Sequence, residues 1–167
     1  MAVSAAQVKE LRELTNAGVM ECKSALEEAG GDMAKATEIL KERGLAQAEK
    51  RSARETSQGL VECYTHAGGR IGSMVEVNCE TDFVARTDEF KALAHDLAMQ
   101  VAATGPVAIA QEDLPDDAEG DPAEACLMLQ PYIKDASRTV EELVREAIAT
   151  TGENIRVTRF SRFELGQ

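Results

Sequence analysis

Six side chains in this 167-residue chain offer the chemistry of nucleophiles, bases and soft metal ligands: Cys22, Cys63, Cys79, Cys126, His66 and His95. A thiol enzyme needs one cysteine beside a base and an orienting acid, groups that meet in space rather than in sequence. Cys63 or Cys79 with His66 and Asp82 is such a combination, but any chain with four cysteines and two histidines supplies one by composition. No C-x-x-C spacing occurs, so neither a zinc knuckle nor a thioredoxin-type pair is indicated, and reduced structural thiols are the simple reading. G-x-S-x-G, H-E-x-x-H and a glycine loop of P-loop type are also missing from the sequence. The expectation is a protein that performs no covalent catalysis and carries no metal or cofactor.

Two places set apolar residues where burial is optional. Residues 76–86, EVNCETDFVAR, run from a β-like segment into T-D-F-V, with Asp82 directly before Phe83 in a chain that is only 4% aromatic. Phe83 is either a core residue beside an aspartate that caps a turn, or an exposed tip. Val19-Met20, at a short corner between two helices, poses the same choice, because a flexible methionine fills cores and also suits an adaptable contact surface.

The elements that position these residues follow from periodicity and caps. Ser4 with Gln7 signals a capping box, and Val8, Leu11 and Leu14 recur on one side until the turn Thr15-Asn16-Ala17-Gly18. A second helix runs from about Met20 to Ala29, with Cys22, Ala25, Leu26 and Ala29 on one face, and Gly30-Gly31 stops it. Asp32 caps a third, with Met33, Ala36, Ile39 and Leu40 inward and Gly44 at its end. Helices this short are unstable singly, which predicts a compact bundle over 1–45. Residues 46–58 read as a helical linker whose cations Lys50, Arg51 and Arg54 form a solvated face. The α+β core domain then spans 59–167. Leu60–His66 and Ile71–Cys79 alternate with period 2 around Ala67-Gly68-Gly69-Arg70, which predicts a hairpin. Thr87 caps a longer helix carrying Phe90, Leu93, Ala94, Leu97, Ala98, Val101 and Ala102 and ending at Gly105-Pro106. Thr139 with Glu142 opens another, ended by Gly152. Asn154–Leu165 reads as a last strand whose imperfect alternation marks a bulge. The predicted class is α+β: a three-helix N-terminal bundle, then a small antiparallel sheet of about three strands with helices on one face.

Charge narrows the partners. The formal net charge is −12, and nucleic-acid affinity comes largely from Lys and Arg neutralising phosphates, so direct nucleic-acid binding and membrane-surface binding are both disfavoured. Residues 106–130 hold seven acids and no base. Within the loop expected over 106–125, the stretch 110–125 has two of the four prolines and no apolar period, which predicts loop or disorder. Neither a basic leader with an apolar h-region nor a run of about 18 apolar residues is present, so the expected location is the cytoplasm.

The segments VKELRELTNAGVMECKSALEEAGGDMAKATEILKERG, VEVNCETDFVAR, LQPYIKD and GENIRVTRFSRFELG resemble, in order and across nearly the whole chain, the bacterial elongation factor Ts family, V-N-C-E-T-D-F-V-A being the most specific. The resemblance implies a guanine nucleotide exchange factor for the GTPase elongation factor Tu, with an N-terminal bundle similar to ubiquitin-associated domains. It implies partner contacts through Arg12, Val19 and Met20 of the bundle and through Thr81, Asp82, Phe83, Val84 and Ala85. Asp82 and Phe83 would reach the partner near its magnesium and phosphate site, with the phenylalanine wedging between helices. A docking module that binds the GTPase without promoting release is the alternative. Short family members usually carry a helical insertion where this chain has only 110–125. One sheet-and-helix unit without internal repeat further implies a homodimer joined through the sheet and a 2:2 complex with the GTPase. The two readings of Phe83 part on one observable, since a core ring is buried and a working tip is exposed.

Overall fold

A computed structural model describes residues 3–15, 17–115 and 120–166. Met1, Ala2, Asn16 of the first expected turn, Asp116–Glu119 of the acidic stretch and Gln167 lie outside the described residues.

The bundle consists of α1 (Ala5–Thr15), α2 (Val19–Glu28) and α3 (Met33–Arg51). Ser4 and Gln7 form the expected reciprocal bonds, Ser4 N–H to Gln7 Oε1 at 3.0 Å and Gln7 N–H to Ser4 Oγ at 3.2 Å. Asp32 caps α3 by accepting from Lys35 N–H. Leu11, Cys22, Ala25, Leu26, Ala36 and Leu40 make the bundle's core. Leu14 departs from the expected stripe, being 69% exposed; it lines a cleft between the bundle and a later helix instead.

The third helix does not stop at Gly44. It continues to Arg51, so α3 crosses the boundary drawn at residue 45 without interruption. The reason is packing. A β-carbon at Gly44 would stand 3.0 Å from Cβ of Ala149, so glycine is used here for close approach of α3 to α7 (Val140–Thr151), an approach that outweighs its poor helix propensity of about 1 kcal/mol. Further along, Ala48 is buried in the main core. Arg51 Nη1 donates to the carbonyl of Ile148 at 3.2 Å, and Arg54 pairs with Glu80 at 3.3 Å. The solvated-face reading thus fails for Arg51, which is half-buried against α7, and holds for Arg54, which stays exposed in its surface pair with Glu80.

The main sheet has the antiparallel order β1-β2-β5, with β1 Gln58–Thr65, β2 Ile71–Cys79 and β5 Ile155–Glu164. The hairpin turn closes with His66 N–H donating to Ile71 O, and Gly68 and Gly69 adopt φ +88° and +67°, where other residues are strained. The bulge in β5 is present: Glu76 faces Arg159 but Val77 faces Val157, leaving Thr158 as the extra residue. Helix α5 (Asp88–Thr104) lies across β1 and β2. Its seven expected apolar residues are all buried, each larger one worth roughly 1.5–3 kcal/mol in burial. Thr87 caps it, and Gly105 ends it in the left-handed conformation. Helix α7 packs on β5 and on α5, so both helices cover one face of the sheet.

Between these helices the chain has more structure than the sequence predicts. A 3₁₀ turn spans Gln111–Asp113, and a short helix, α6, spans Pro122–Ala125 with Asp121 as cap and Pro122 in its first turn. A parallel bridge joins Ala108 to Cys126. Buried Ala108, Cys126 and Leu127 anchor both sides of the acidic stretch to the core, which offsets ordering entropy that its own composition does not. A small ribbon of β3 (Pro131–Tyr132) and β4 (Asp135–Thr139) follows. Buried Gln100 holds it, its Nε2 donating to Pro131 O and its Oε1 accepting from Ile133 N–H.

Candidate functional site

The β2 strand delivers the chain directly into T-D-F-V. There the backbone makes one helical turn, α4 (Asp82–Ala85). Thr81, not Asp82, is its cap, accepting from Val84 N–H at 3.4 Å. Asp82 pairs at the surface with Arg86 at 2.9 Å. Ala85 is buried, and Val84 packs against the main core. Phe83 points away from all of this and is 82% exposed. A helical turn separates these neighbours by direction, putting Val84 and Ala85 inside and Phe83 outside. The core reading of Phe83 is therefore excluded.

The turn is tied down from behind. Glu153, in the α7–β5 corner, accepts from Thr81 N–H at 3.0 Å through Oε2 and from Thr81 Oγ1 at 2.6 Å through Oε1. The adjacent Asn154 N–H donates to Glu80 Oε1 at 2.7 Å. That bond, with Arg54 beside it, holds the Glu80 carboxyl below the usual glutamate range. Asn154 is itself buried, and its Nδ2 donates to the carbonyls of Ser52 at 3.2 Å and Arg54 at 2.8 Å. Sequence reasoning missed Glu80, Glu153 and Asn154 as supports. The only available signal was that E-T-D and G-E-N both lie in the segments carrying the family resemblance.

The bundle residues form a second patch. Arg12 of α1 and Val19 of α2 line one groove of about 420 Å³, with Val3, Val8, Lys9 and Lys23 around them. Met20, the residue after Val19, does not line the groove and is 73% exposed. The structure thus brings Arg12 and Val19 together but leaves them on elements apart from the turn: α1 and α2 pack on each other and on α3, whereas α4 packs on β1, β2 and α5.

The thiol combination does not assemble. Cys79 is buried, and its Sγ donates to the carbonyl of Thr81 at 3.1 Å. Burial first, and then the charge of Glu153, push its pKa up, which disfavours a thiolate. Cys63 is exposed, but along β1 it alternates with Glu62 and Tyr64, the residues that engage the histidines. His66 Nδ1 is 3.2 Å from Tyr64 Oη and His95 Nδ1 is 3.0 Å from Glu62 Oε1. The Cys63 side chain thus leaves from the other face of the strand.

Bundle, sheet and turn define an α+β chain with exposed apolar residues at the start of α2 (Val19, Met20), on α4 (Phe83) and on the strands of the sheet (Val61, Met74, Phe163). Residues 1–122 match the family described as Elongation factor TS. Among relatives, Elongation factor Ts of Carboxydothermus hydrogenoformans is 49% identical over 99% of this chain and 90% of its own length. That of Coprothermobacter proteolyticus is 47% identical over the whole of both chains, and that of Moorella thermoacetica is 48% identical over 99% and 96%. The chain belongs to the elongation factor Ts family. The alignment with the Coprothermobacter protein runs over 197 positions against 167 residues here, so that relative carries sequence this chain lacks.

Proposed function

We propose that this chain is a guanine nucleotide exchange factor for elongation factor Tu, acting in the cytoplasm by displacing elements around the magnesium and phosphate site of the GTPase. The observation that carries this reading is Phe83, an exposed aromatic ring on an anchored turn within the family's most specific motif. A GTPase holds GDP through many phosphate contacts and a magnesium ion with demanding octahedral geometry. A rigid ring driven between two supporting helices weakens several of those contacts together. Asp82, beside it, orients the contact and perturbs hydrogen bonds near the metal. Thr81, Val84 and Ala85 complete the contact segment, and Arg12, Val19 and Met20 form the second contact, on the N-terminal bundle whose third helix runs on to Arg51.

Exchange follows from linkage. A factor that binds the empty GTPase more tightly than the GDP form weakens GDP by the same factor, and each tenfold requires about 1.4 kcal/mol of differential contact. No covalent step enters this scheme. Release of a fluorescent GDP analogue from elongation factor Tu accelerates with added chain if the reading holds. Co-purification without acceleration would instead establish the docking module.

The pairing of two chains belongs to the same reading. Val61, Met74, Phe163 and Leu165 are exposed, and strand register puts Val61, Met74 and Phe163 on the sheet face that α5 and α7 leave open. We propose that a second copy covers this face, giving a homodimer and a 2:2 complex with the GTPase. Light scattering at micromolar concentration then returns twice the 18.0 kDa chain mass, and Phe163→Asp returns one chain. A wild-type mass of one chain rejects the dimer.

A further inference from the structure

The ring of Phe83 is mounted on a helix of four residues, and a helix that short has no stability of its own. A wedge pressing between two partner helices meets an equal force along its own backbone. If the turn yields, displacement is lost in the factor and does not reach the nucleotide site. What holds the turn therefore matters to its work.

Val84 and Ala85 pack the end of the turn on the core and Cys79 Sγ donates to the Thr81 carbonyl, while the amide and hydroxyl of Thr81 are both held by one carboxylate. Glu153 uses both oxygens on Thr81, one on the N–H at 3.0 Å and one on the hydroxyl at 2.6 Å. A threonine hydroxyl has a single proton. Donating it to Glu153 turns the oxygen lone pairs toward Val84 N–H, the amide that Thr81 caps. Glu153 thus sets the cap, and the cap sets the turn. Glu153 follows Gly152, which ends α7 at φ +76°, so load on the turn passes into a twelve-residue helix packed in the core. The neighbouring Asn154 N–H holds Glu80, the residue before Thr81, while its side chain holds the chain leaving α3 at Ser52 and Arg54. One dipeptide thereby refers both the turn and the exit of the bundle's last helix to the same corner.

We propose that Glu153 is a positioning residue for exchange: it touches no nucleotide and no partner in this scheme, and it stiffens the T-D-F-V turn so that Phe83 transmits displacement. The consequence for rate rests on the exchange reading above. Two variants test it, Glu153→Ala, which removes both bonds to Thr81, and Glu153→Gln, which has the same shape and keeps one acceptor.

At saturating factor the plateau rate of GDP release falls about tenfold with Glu153→Ala and about threefold with Glu153→Gln, while the half-saturating concentration moves less than about twofold. A merely structural role gives the opposite split, because a smaller folded fraction lowers the active concentration and leaves the plateau unchanged. In the free chain, amide hydrogen exchange at Ala85, Arg86 and Thr87, whose N–H groups close the turn onto Thr81, Phe83 and Val84, speeds up in Glu153→Ala, while the α5 amides from Leu93 to Val101 keep their protection. Wild-type plateau rates in both variants, or unchanged protection of the turn amides, overturn the proposal. If the wild-type chain itself fails to accelerate release, the exchange reading falls, and the amide measurement still decides whether Glu153 holds the turn.

Discussion

Phe83 in α4 and Met20 in α2 present comparable apolar surface, but the backbones beneath them are held differently. Under Phe83 the bonds come from far along the chain: Glu153 and Asn154 reach Thr81 and Glu80 across 72 and 74 residues. Under Met20 those among the described residues of the corner are mostly local, with Gly18 N–H donating to Glu21 Oε2 at 3.1 Å and Cys22 Sγ to Ala17 O at 3.6 Å, while α3 reaches α2 through Gln47 to Glu21 and, further along, Arg43 to Ser24. A turn fixed to a distant helix suits a task in which displacement must be delivered. A corner closed on itself, with a flexible methionine at its tip, suits a surface that adapts to its partner. Exposure alone does not separate these roles; anchoring does.

The sharpest break in this comparison is Phe83→Ala. Truncating a central aromatic contact costs about 2 kcal/mol or more, so the plateau rate of GDP release falls about thirtyfold. Thermal stability barely changes, because the ring buries little of itself in this chain. An unaltered plateau removes the wedge.

Next in size is Gly44→Val, which overpacks the crossing of α3 and α7 and costs about 1–2 kcal/mol in thermal or urea unfolding. Ala149→Gly in the same chain recovers part of the loss, since its methyl group is the atom in the way. No recovery would mean that the crossing does not determine how the bundle sits on the core. Val19→Ala with Met20→Ala comes third. The half-saturating concentration for exchange rises about fivefold, roughly 1 kcal/mol, with the plateau unchanged. A lowered plateau would make the corner a second delivering element and dissolve the contrast with Phe83.

The smallest effect is set by pH. Glu80 has a native pKa below its ordinary value because Asn154 N–H, and then Arg54, favour the charged carboxylate. Its contribution is therefore complete above the ordinary glutamate pKa of about 4.3 and is lost as pH falls below that through the depressed native value. Between pH 6 and pH 3 the wild-type chain loses more stability than Glu80→Gln, which keeps an acceptor for Asn154 N–H but does not titrate. Parallel acid curves for the two chains would show that the support behind the turn draws nothing from the charge.

Most of the fold was legible, and the failures are informative. Helix starts at Ser4, Asp32, Thr87 and Thr139 were readable because a cap bonds an amide two or three residues away. Strand faces were readable because side chains alternate, and even the β5 bulge left its mark in a broken alternation. Gly44 misled because glycine is the commonest helix stop, and only the approach of Ala149, 105 positions along the chain, gives it another purpose. The acidic stretch misled because its short helices and bridge are held by core residues at its borders. Within the candidate site, the motif was evident, but the direction of each side chain was not, since T-D-F-V fits a strand end as well as a helical turn.

What local physics could establish was an aliphatic α+β chain with capped helices, a hairpin and a last strand, and the segment most worth attention. Those features arise from interactions among residues a few positions apart, and the sequence carries them directly. That Phe83 faces outward, that Thr81 rather than Asp82 caps its turn, and that Glu153 and Asn154 brace it were settled only in three dimensions. Bonds that span 72 to 102 residues depend on how every intervening element packs, and they leave no period in the sequence by which to read them.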